Sequence, residues 1–522
     1  MNKIIFSRKN LSDNSWQIIF IWLLIVTSIL VLFIWEGHQG FSMSDEGFLW
    51  YGAQRVLTGE VPFRDFDSYD IGRYYWSATF MRLLDDNGIV TVRIAAIVFQ
   101  AMALCIGFLV IVRYSIKQNI IYWAILMITL MAWMVHRHKL FDISIPIILI
   151  SSLSFLIEKP SGHRYFLTGF IVGLVAVFGR NHGLYGALGS FSVILYLNIK
   201  HKNTTTLITA FAFWLLGIIA GYLPVLAFLI FVPGFASAFW EIISPVLLFE
   251  IKSTNIPLPV PWPWRFSFEQ MSVDVVRSII TGTFFLSIIF FGIFSVIWTI
   301  RQRIYKKSVS PVLVASAFMA LPYTHYAFSR ADLSHLAYSI PPLMIGLFTL
   351  LEGQTNKIKW SFAALLCGTS LFLMLPVHPG WYCSVKNQCV NVKVADDNLK
   401  VPFKTAIILK DLNRLVQEYA PQGRNFICAP FCPAAYAITG RKSPIWSIYA
   451  TGPSKSEFQQ TEIEKIKVAN PSLIIIDNSP LDGRDDLRFS NTNPLIDQYI
   501  RNNFHRLNEV TQNPAIYISK TQ

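Results

Sequence analysis

Apolar residues along this chain come in long blocks rather than in alternation. The first runs from Trp16 to Trp35, and further blocks cover about 90–112, 120–135, 141–157, 165–179, 183–199, 206–232, 278–300, 311–328, 335–351 and 358–377. A helix needs roughly 20 apolar residues to cross a bilayer. The pattern therefore predicts a mainly α, polytopic membrane helix bundle of about eleven spans. The first block is too long for a signal-peptide core and no small-residue cleavage site follows it, so it is read as a retained helix. Two long polar stretches interrupt the pattern, one at about 36–91 and one from about His378 to Gln522. In the second, Phe403–Tyr419, Glu457–Val468 and Leu495–Phe504 have helical spacing. Asn425–Cys428, Leu473–Ile476 and Ile516–Ile518 are short runs of β type. Helices alternating with strands predict a small α/β domain. The expected division is thus a transmembrane module over 1–377, which includes the 36–91 loop, and a C-terminal α/β domain over 378–522.

Composition agrees with the pattern. Of 522 residues, 53% are hydrophobic and only 14% are charged, against about 25% charged in soluble domains. That deficit excludes an ordinary cytosolic enzyme, a disordered tail protein and a disulfide-dense secreted scaffold. The formal net charge of +13 would suit a nucleic-acid partner, but its placement argues otherwise. With the N-terminus inside, every inner loop is basic: Arg113 and Lys117; Lys159 and Arg164; Lys200 and Lys202; Arg301, Arg303, Lys306 and Lys307; Lys357 and Lys359. The excess of Lys and Arg on cytoplasmic loops is the usual determinant of orientation. It predicts a multi-pass protein of the inner (plasma) membrane with a cytoplasmic N-terminus and a periplasmic or extracytoplasmic C-terminal domain. It leaves no charge calling for nucleic acid.

The connection from Pro233 to Arg277, rich in proline and tryptophan, is expected along the outer interface, where tryptophan partitions. Cys383, Cys389, Cys428 and Cys432 fall in the C-terminal domain. An oxidising compartment favours disulfides there over zinc, with three connectivities open. Cys105 and Cys367 lie in spans and read as core residues.

The candidate chemistry gathers on the outer side. The 36–91 loop carries Asp45 and Glu46 a few residues after the first span. Arg64, Asp65, Asp67, Asp70 and Arg73 follow among interleaved aromatics. Residues 48–57 have helical spacing and predict an amphipathic helix lying on the membrane. A carboxylate at that depth can act as general base on a hydroxyl, orient a sugar or hold a cation. Three further clusters lie at outer span ends: His136-Arg137-His138-Lys139 followed by Asp142, Gly179-Arg180-Asn181-His182-Gly183, and Arg330-Ala331-Asp332-Leu333-Ser334-His335. Cations beside hydrocarbon are costly unless they meet an anion, and a lipid phosphate suits arginine geometry. The alternatives are a general headgroup contact for the first cluster, a snorkelling arginine for the second, and an Arg–Asp helix cap for the third.

The first loop also resembles a known family. Asp45-Glu46-Gly47 with Tyr51 and Ala53, then Gly59, Pro62-Phe63-Arg64-Asp65-Phe66, is similar to the first periplasmic loop of the GT-C polytopic glycosyltransferases, in particular the protein-mannosyltransferase-like and aminoarabinose-transferase-like members. One departure is local: Asp70-Ile71-Gly72 stands where relatives often have a Pro-Gly turn. The resemblance implies transfer of a sugar from a polyprenyl-phosphate carrier to a hydroxyl of an envelope glycan, lipid or protein, with inversion. It implies Asp45 as the catalytic base with Glu46 beside it. Arg137, His138, Lys139, Arg180, His182, Arg330, Asp332 and His335 fit this picture as groups near donor phosphate or sugar, with relatives placing similar residues at the Arg180 and Arg330–His335 positions, and Arg64, Asp65, Asp67, Asp70 and Arg73 fit it as substrate-binding candidates. Membrane lipids are the remaining partner. No metal-ligand spacing stands out, and a divalent cation held by Asp45 and Glu46 stays open. Two other functions fit the span count, a polytopic transporter or flippase and an O-antigen polymerase or ligase. The charges lie at span edges rather than at the midplane where transporters keep them, and the Asp-Glu pair does not suit a polymerase or ligase.

Overall fold

The computed structural model describes residues 15–115, 119–199, 204–247, 257–266, 271–385, 388–507 and 514–520. The N-terminal cations Lys3, Arg8 and Lys9, and the loop cations Lys117, Lys200 and Lys202, lie outside the described residues. In chain order the helices are α1 (Ser15–Glu36), α2 (Asp45–Leu57), α3 (Ile71–Leu84), α4 (Ile89–Arg113), α5 (Ile120–Trp133), α6 (Leu140–Glu158), α7 (Gly162–Phe178), α8 (Arg180–Leu197), α9 (Thr204–Gly221), α10 (Leu223–Phe231), α11 (Phe235–Leu247), α12 (Val273–Ile304), α13 (Pro311–Ser329), α14 (Leu333–Glu352), α15 (Asn356–Met374) and α16 (Pro379–Val385). The remainder holds β1 (Cys389–Val394), β2 (Asp397–Pro402), α17 (Phe403–Tyr419), β3 (Phe426–Ala429), α18 (Pro433–Thr439), α19 (Ser456–Ala469), β4 (Leu473–Ile476), α20 (Phe489–Thr492), α21 (Pro494–Asn503), β5 (Phe504–Arg506) and β6 (Ala515–Ser519).

Every apolar block of the sequence is helical. Among the described residues, six helices are long and apolar enough to cross a membrane, or seven if α9 and α10 form one broken span. The two meet at a 57° bend. Pro224, the second residue of α10, has no N–H to continue the α9 ladder. The apolar helices α5 and α7 are shorter.

The chain divides into two compact units, 1–35 with 96–231 and 257–381, and 36–95 with 232–256 and 382–522. The first is the helix bundle. Its tightest pair is α7 with α9, and the reason is glycine at four facing positions. A Cβ on Gly169 or Gly173 would stand 2.0 or 2.2 Å from the carbonyl oxygens of Trp214 and Ile218, and one on Gly217 or Gly221 would stand 2.1 or 2.0 Å from those of Phe166 and Phe170. Both helices thus carry Gly-x-x-x-Gly, which lets backbones approach where lipid gives no hydrophobic drive. Three buried hydroxyls are satisfied within their own helices: Thr129, Ser151 and Ser154 each donate to the carbonyl four residues back at 2.7 Å. At one end of the bundle, Arg113 and Arg164 both reach Glu158, at 2.8 and 2.9 Å. Arg303 reaches the Leu197 carbonyl at 2.8 Å.

The second unit holds the predicted α/β domain. Strands are ordered β3-β4-β6-β5, with β3 and β4 parallel and the other pairings antiparallel. β4 is Leu-Ile-Ile-Ile and wholly buried, as a central strand covered on both faces must be. Ile427, Ile474, Ile476, Ile466, Ile496 and Ile500 form its core. A hairpin of β1 and β2, absent from the expected elements although Val390, Val392 and Val394 alternate with polar residues, precedes it. Segment 38–40 joins that hairpin: Lys400 N–H donates to His38 O and Gly40 N–H to Lys400 O, both at 2.8 Å. The disulfides are Cys383–Cys389 and Cys428–Cys432, and Cys105 and Cys367 are free.

Helix α2 corrects one expectation. It is no surface-lying amphipathic helix, because residues 46–53 are all buried within the second unit. Gly47 lets it close on α18, where a Cβ would come within 2.6 Å of Ala434. Gly52 does the same against Tyr74, at 2.2 Å. Phe48, Trp50 and Tyr51 supply the core that the helical spacing had assigned to lipid.

Candidate functional site

In the second unit, α2 begins at the acidic pair, and carboxylates at a helix N-terminus are stabilised by its dipole. The two acids face different surroundings. Glu46 is buried and makes a two-pronged ion pair with Arg93, Nε to Oε1 at 2.9 Å and Nη2 to Oε2 at 3.0 Å. Arg93 is 1% exposed and also donates to the carbonyls of Gly37 at 2.7 Å and Gly40 at 2.8 Å. One guanidinium thereby ties the chain before α2 to the first turn of α2 and the start of α4. Asp45 is partly exposed. Its Oδ1 accepts from the Tyr449 hydroxyl at 2.6 Å, its Oδ2 from the Ser42 hydroxyl at 3.3 Å, and its backbone N–H donates to Ser42 Oγ at 3.0 Å. The Tyr449 ring packs on Phe48 and Phe431, centroids 4.9 and 5.5 Å away. The partly exposed carboxylate is oriented and the buried one is occupied.

The remaining first-loop candidates differ in kind. Arg64 and Asp65 bind each other at 2.9 and 2.8 Å. Asp65 also accepts from the Val61 N–H at 2.7 Å, and Arg64 reaches the Pro233 carbonyl at 3.1 Å. Burial raises the Asp65 pKa, but the Arg64 and Val61 hydrogen bonds outweigh it and hold the carboxyl below its usual range. Asp67 is the reverse case. Burial pushes it up to about 7, helped by the Glu462 charge and opposed by backbone N–H groups of Ser68 and Tyr449. Asp70 stands at the N-cap of α3. Arg73 is buried, with its guanidinium 4.9 Å from the Tyr69 ring centroid.

In the first unit, the three clusters singled out along the sequence come together around Tyr326. The His182 ring spans from Tyr323 OH, 2.8 Å from Nδ1, to Asp142 Oδ1, 3.0 Å from Nε2. Tyr326 OH donates to the same Asp142 oxygen at 3.0 Å. The Tyr326 ring also packs on His335 and Tyr338, at 5.9 and 5.4 Å. His136 Nε2 lies 3.0 Å from Ser334 Oγ, and Lys139 Nζ lies 6.0 Å from the centroid of Tyr338. Arg137 and His138 are buried in a short 3₁₀ turn, and Arg180 opens α8. Asp332 takes the capping role that was one of its alternatives: it accepts from His335 N–H and Nδ1, both at 2.8 Å, and from Arg330 Nε at 2.5 Å. Burial raises its pKa, but the His335 and Arg330 bonds win and hold it at about 2.

The pattern along the chain did not reveal Arg93, Tyr449, Tyr323, Tyr326 or Tyr338. Arg93 carried the one available signal, a lone cation inside an apolar block with a carboxylate needed opposite. Among the described residues no group of three or more His, Cys, Asp or Glu could hold a metal ion. The Asp45–Glu46 pair does not suit a divalent cation either, because Arg93 occupies both Glu46 oxygens.

The chain resembles solved structures over nearly its whole length. A structure of ArnT from Cupriavidus metallidurans bound to undecaprenyl phosphate matches with a TM-score of 0.58 at 10% identity, covering 95% of this chain and 97% of that one. The fold is that of the GT-C glycosyltransferases. The apo state of the same ArnT matches the GT-C-fold chain with a TM-score of 0.54 at 9% identity, over 96% and 97% of the two chains. The Archaeoglobus fulgidus oligosaccharyltransferase in the apo form gives 0.47 at 11% identity, over 89% and 69%. No family model matches the sequence, and no curated protein matches it. The GT-C fold is therefore visible in structure where sequence comparison finds nothing.

Proposed function

We propose that this chain is a membrane glycosyltransferase that moves a sugar from a polyprenyl-phosphate carrier to a hydroxyl of an envelope glycan, lipid or protein, with inversion at the anomeric carbon. The observation that carries the proposal is the partly exposed Asp45 carboxylate, held by Tyr449 and Ser42 at the start of α2 in a chain of GT-C fold. The ArnT structure it resembles was determined with undecaprenyl phosphate, which supports a polyprenyl-phosphate carrier here.

In the mechanism, Asp45 takes the proton of the acceptor hydroxyl as that oxygen attacks the anomeric carbon. The bond to the carrier phosphate breaks, and the phosphate leaves carrying the bonding electrons. Arg137, Lys139, Arg180 and Arg330 stabilise the charge that develops on it, and such preset electrostatics are a large catalytic term. His138 and His182 with Asp142 hold the phosphate-side residues in place. Asp67, Asp70 and Arg73 orient sugar hydroxyls, and Asp332 with His335 holds Arg330 in place. Glu46, Arg93 and the Arg64–Asp65 pair fix the loop that presents Asp45. The basic inner loops support a cytoplasmic N-terminus in the inner membrane. Two disulfides in 382–522 support an extracytoplasmic setting for that part.

The test is transfer of a radiolabelled sugar from a polyprenyl-phosphate donor in proteoliposomes. Asp45→Asn should abolish transfer while the protein still elutes as a monodisperse species with unchanged helicity. Near-wild-type turnover by that variant would remove Asp45 from the mechanism.

A further inference from the structure

The C-terminal stretch after Tyr382 buries its apolar residues well, with one exception. Of the five large hydrophobic residues exposed there among the described residues, four are Val390 (39% exposed), Phe403 (64%), Ile407 (45%) and Ile408 (46%); the fifth, Val468, is elsewhere on α19. Phe403, Ile407 and Ile408 occupy the first two turns of α17. The face opposite Phe403 and Ile407, made by Leu409, Leu412, Leu415 and Val416, is buried, and Ile408 stands at its edge. α17 follows directly on the β1–β2 hairpin that carries Val390. The patch is therefore one concentrated apolar surface, not scattered exposure of the kind any protein shows.

Its charge is one-sided. From 400 to 410 the chain holds Lys400, Lys404 and Lys410 and no acid. Acids return only at Asp411 and Glu418, where Arg414 stands within 3.8 Å of each. Phenylalanine and isoleucine on one surface, ringed by unopposed lysine, is the composition of a helix that rests in the headgroup layer of an anionic bilayer. The patch also begins only 13 residues after Val377, the end of the last apolar segment, so a short tether keeps it at high effective concentration near lipid.

We infer that the first two turns of α17, with Val390, form an interfacial lipid-binding face. Phe403, Ile407 and Ile408 enter the headgroup–acyl boundary, and Lys404 and Lys410 meet anionic headgroups. The face includes no residue of the proposed site and does not depend on the proposed reaction.

The experiment uses the full chain in nanodiscs of anionic lipid. Cys105→Ala and Cys367→Ala remove the free thiols, and a spin label is placed at Ile407→Cys or, as a water-exposed control, at Val468→Cys. The expected ratio of oxygen to nickel-chelate accessibility is several-fold higher at 407 than at 468, and Lys404→Glu with Lys410→Glu lowers it toward the control. A label at 407 as open to the nickel chelate as that at 468 would overturn the inference. So would a label shielded from both reagents, since it would mean that protein, from a second copy or another partner, covers the face.

Discussion

Glu46 is adjacent to Asp45 in sequence, yet its geometry makes it a holding group, and the two roles separate cleanly in one experiment. In Glu46→Ala the Arg93 guanidinium loses two of its four hydrogen bonds and the Glu46 counter-charge, at a site where Arg93 is 1% exposed. Removing one partner of a buried pair typically costs about 3–5 kcal/mol, because the other charge is left uncompensated. The cost falls on segment 37–40 and the first turn of α2, which the guanidinium joins. Amide hydrogen exchange reads it directly. Local opening free energies set the protection, so exchange at residues 40–48 should speed by roughly 10²–10⁴. Glu46→Met with Arg93→Met, which removes both charges at similar volume, should recover most of the protection. Transfer should fall in Glu46→Ala because Asp45 is no longer held, and recover in part in the double variant. Lost transfer with unchanged exchange, and no recovery in the double variant, would refute this assignment and make Glu46 a catalytic group.

Three more outcomes follow from the structure. Asp67 titrates near 7 in the folded chain against 3.8 for an ordinary aspartate. The folded form therefore holds the extra proton between those values, and stability falls as pH rises through that window. Asp67→Asn should raise stability at pH 8 by on the order of 2–4 kcal/mol and leave it unchanged near pH 4; equal pH profiles of thermal unfolding for the two proteins would count against this. Arg180→Ala should raise the apparent KM for the polyprenyl-phosphate donor more than it changes affinity for the acceptor, and an unmoved donor KM would remove Arg180 from phosphate binding. Gly217→Leu places side-chain atoms where Phe166 O already stands 2.1 Å from an added Cβ, so α7 and α9 must part; folded yield in detergent should drop sharply, and normal yield with unchanged melting would show that the close approach is dispensable.

Much of the bundle was legible because hydrophobic periodicity and length are local signals. The apolar blocks became helices within a few residues, and Phe403–Tyr419 and Leu473–Ile476 came out with the bounds the pattern gave. What escaped was set by distant contacts. Residues 48–57 have helical spacing either way, and only the fit of Gly47 against Ala434 and Gly52 against Tyr74 shows that protein, not lipid, covers the helix. The β1–β2 hairpin did carry a local signal, Val390, Val392 and Val394 alternating with Asn391 and Lys393, but it is short and lies in a polar stretch next to the last apolar block. Of the site, Asp45 and the three cationic clusters could be named because charge near hydrocarbon is costly. Tyr449 could not, since 404 residues separate it from the carboxylate it touches. Tyr326 looked like one more aromatic in an apolar block, yet it joins Asp142, His182 and His335.

On the proposed function, this chain adds a sugar to a cell-envelope acceptor and depends on Asp45 to do so. The most direct measurement is mass spectrometry of envelope glycans, lipids and glycoproteins from cells lacking the gene and from the same cells carrying the wild-type gene or Asp45→Asn. The prediction is loss of one sugar residue from one acceptor on deletion, restored by the wild-type gene and not by Asp45→Asn expressed at equal level. Identical spectra with and without the gene, or full restoration by Asp45→Asn, would contradict it.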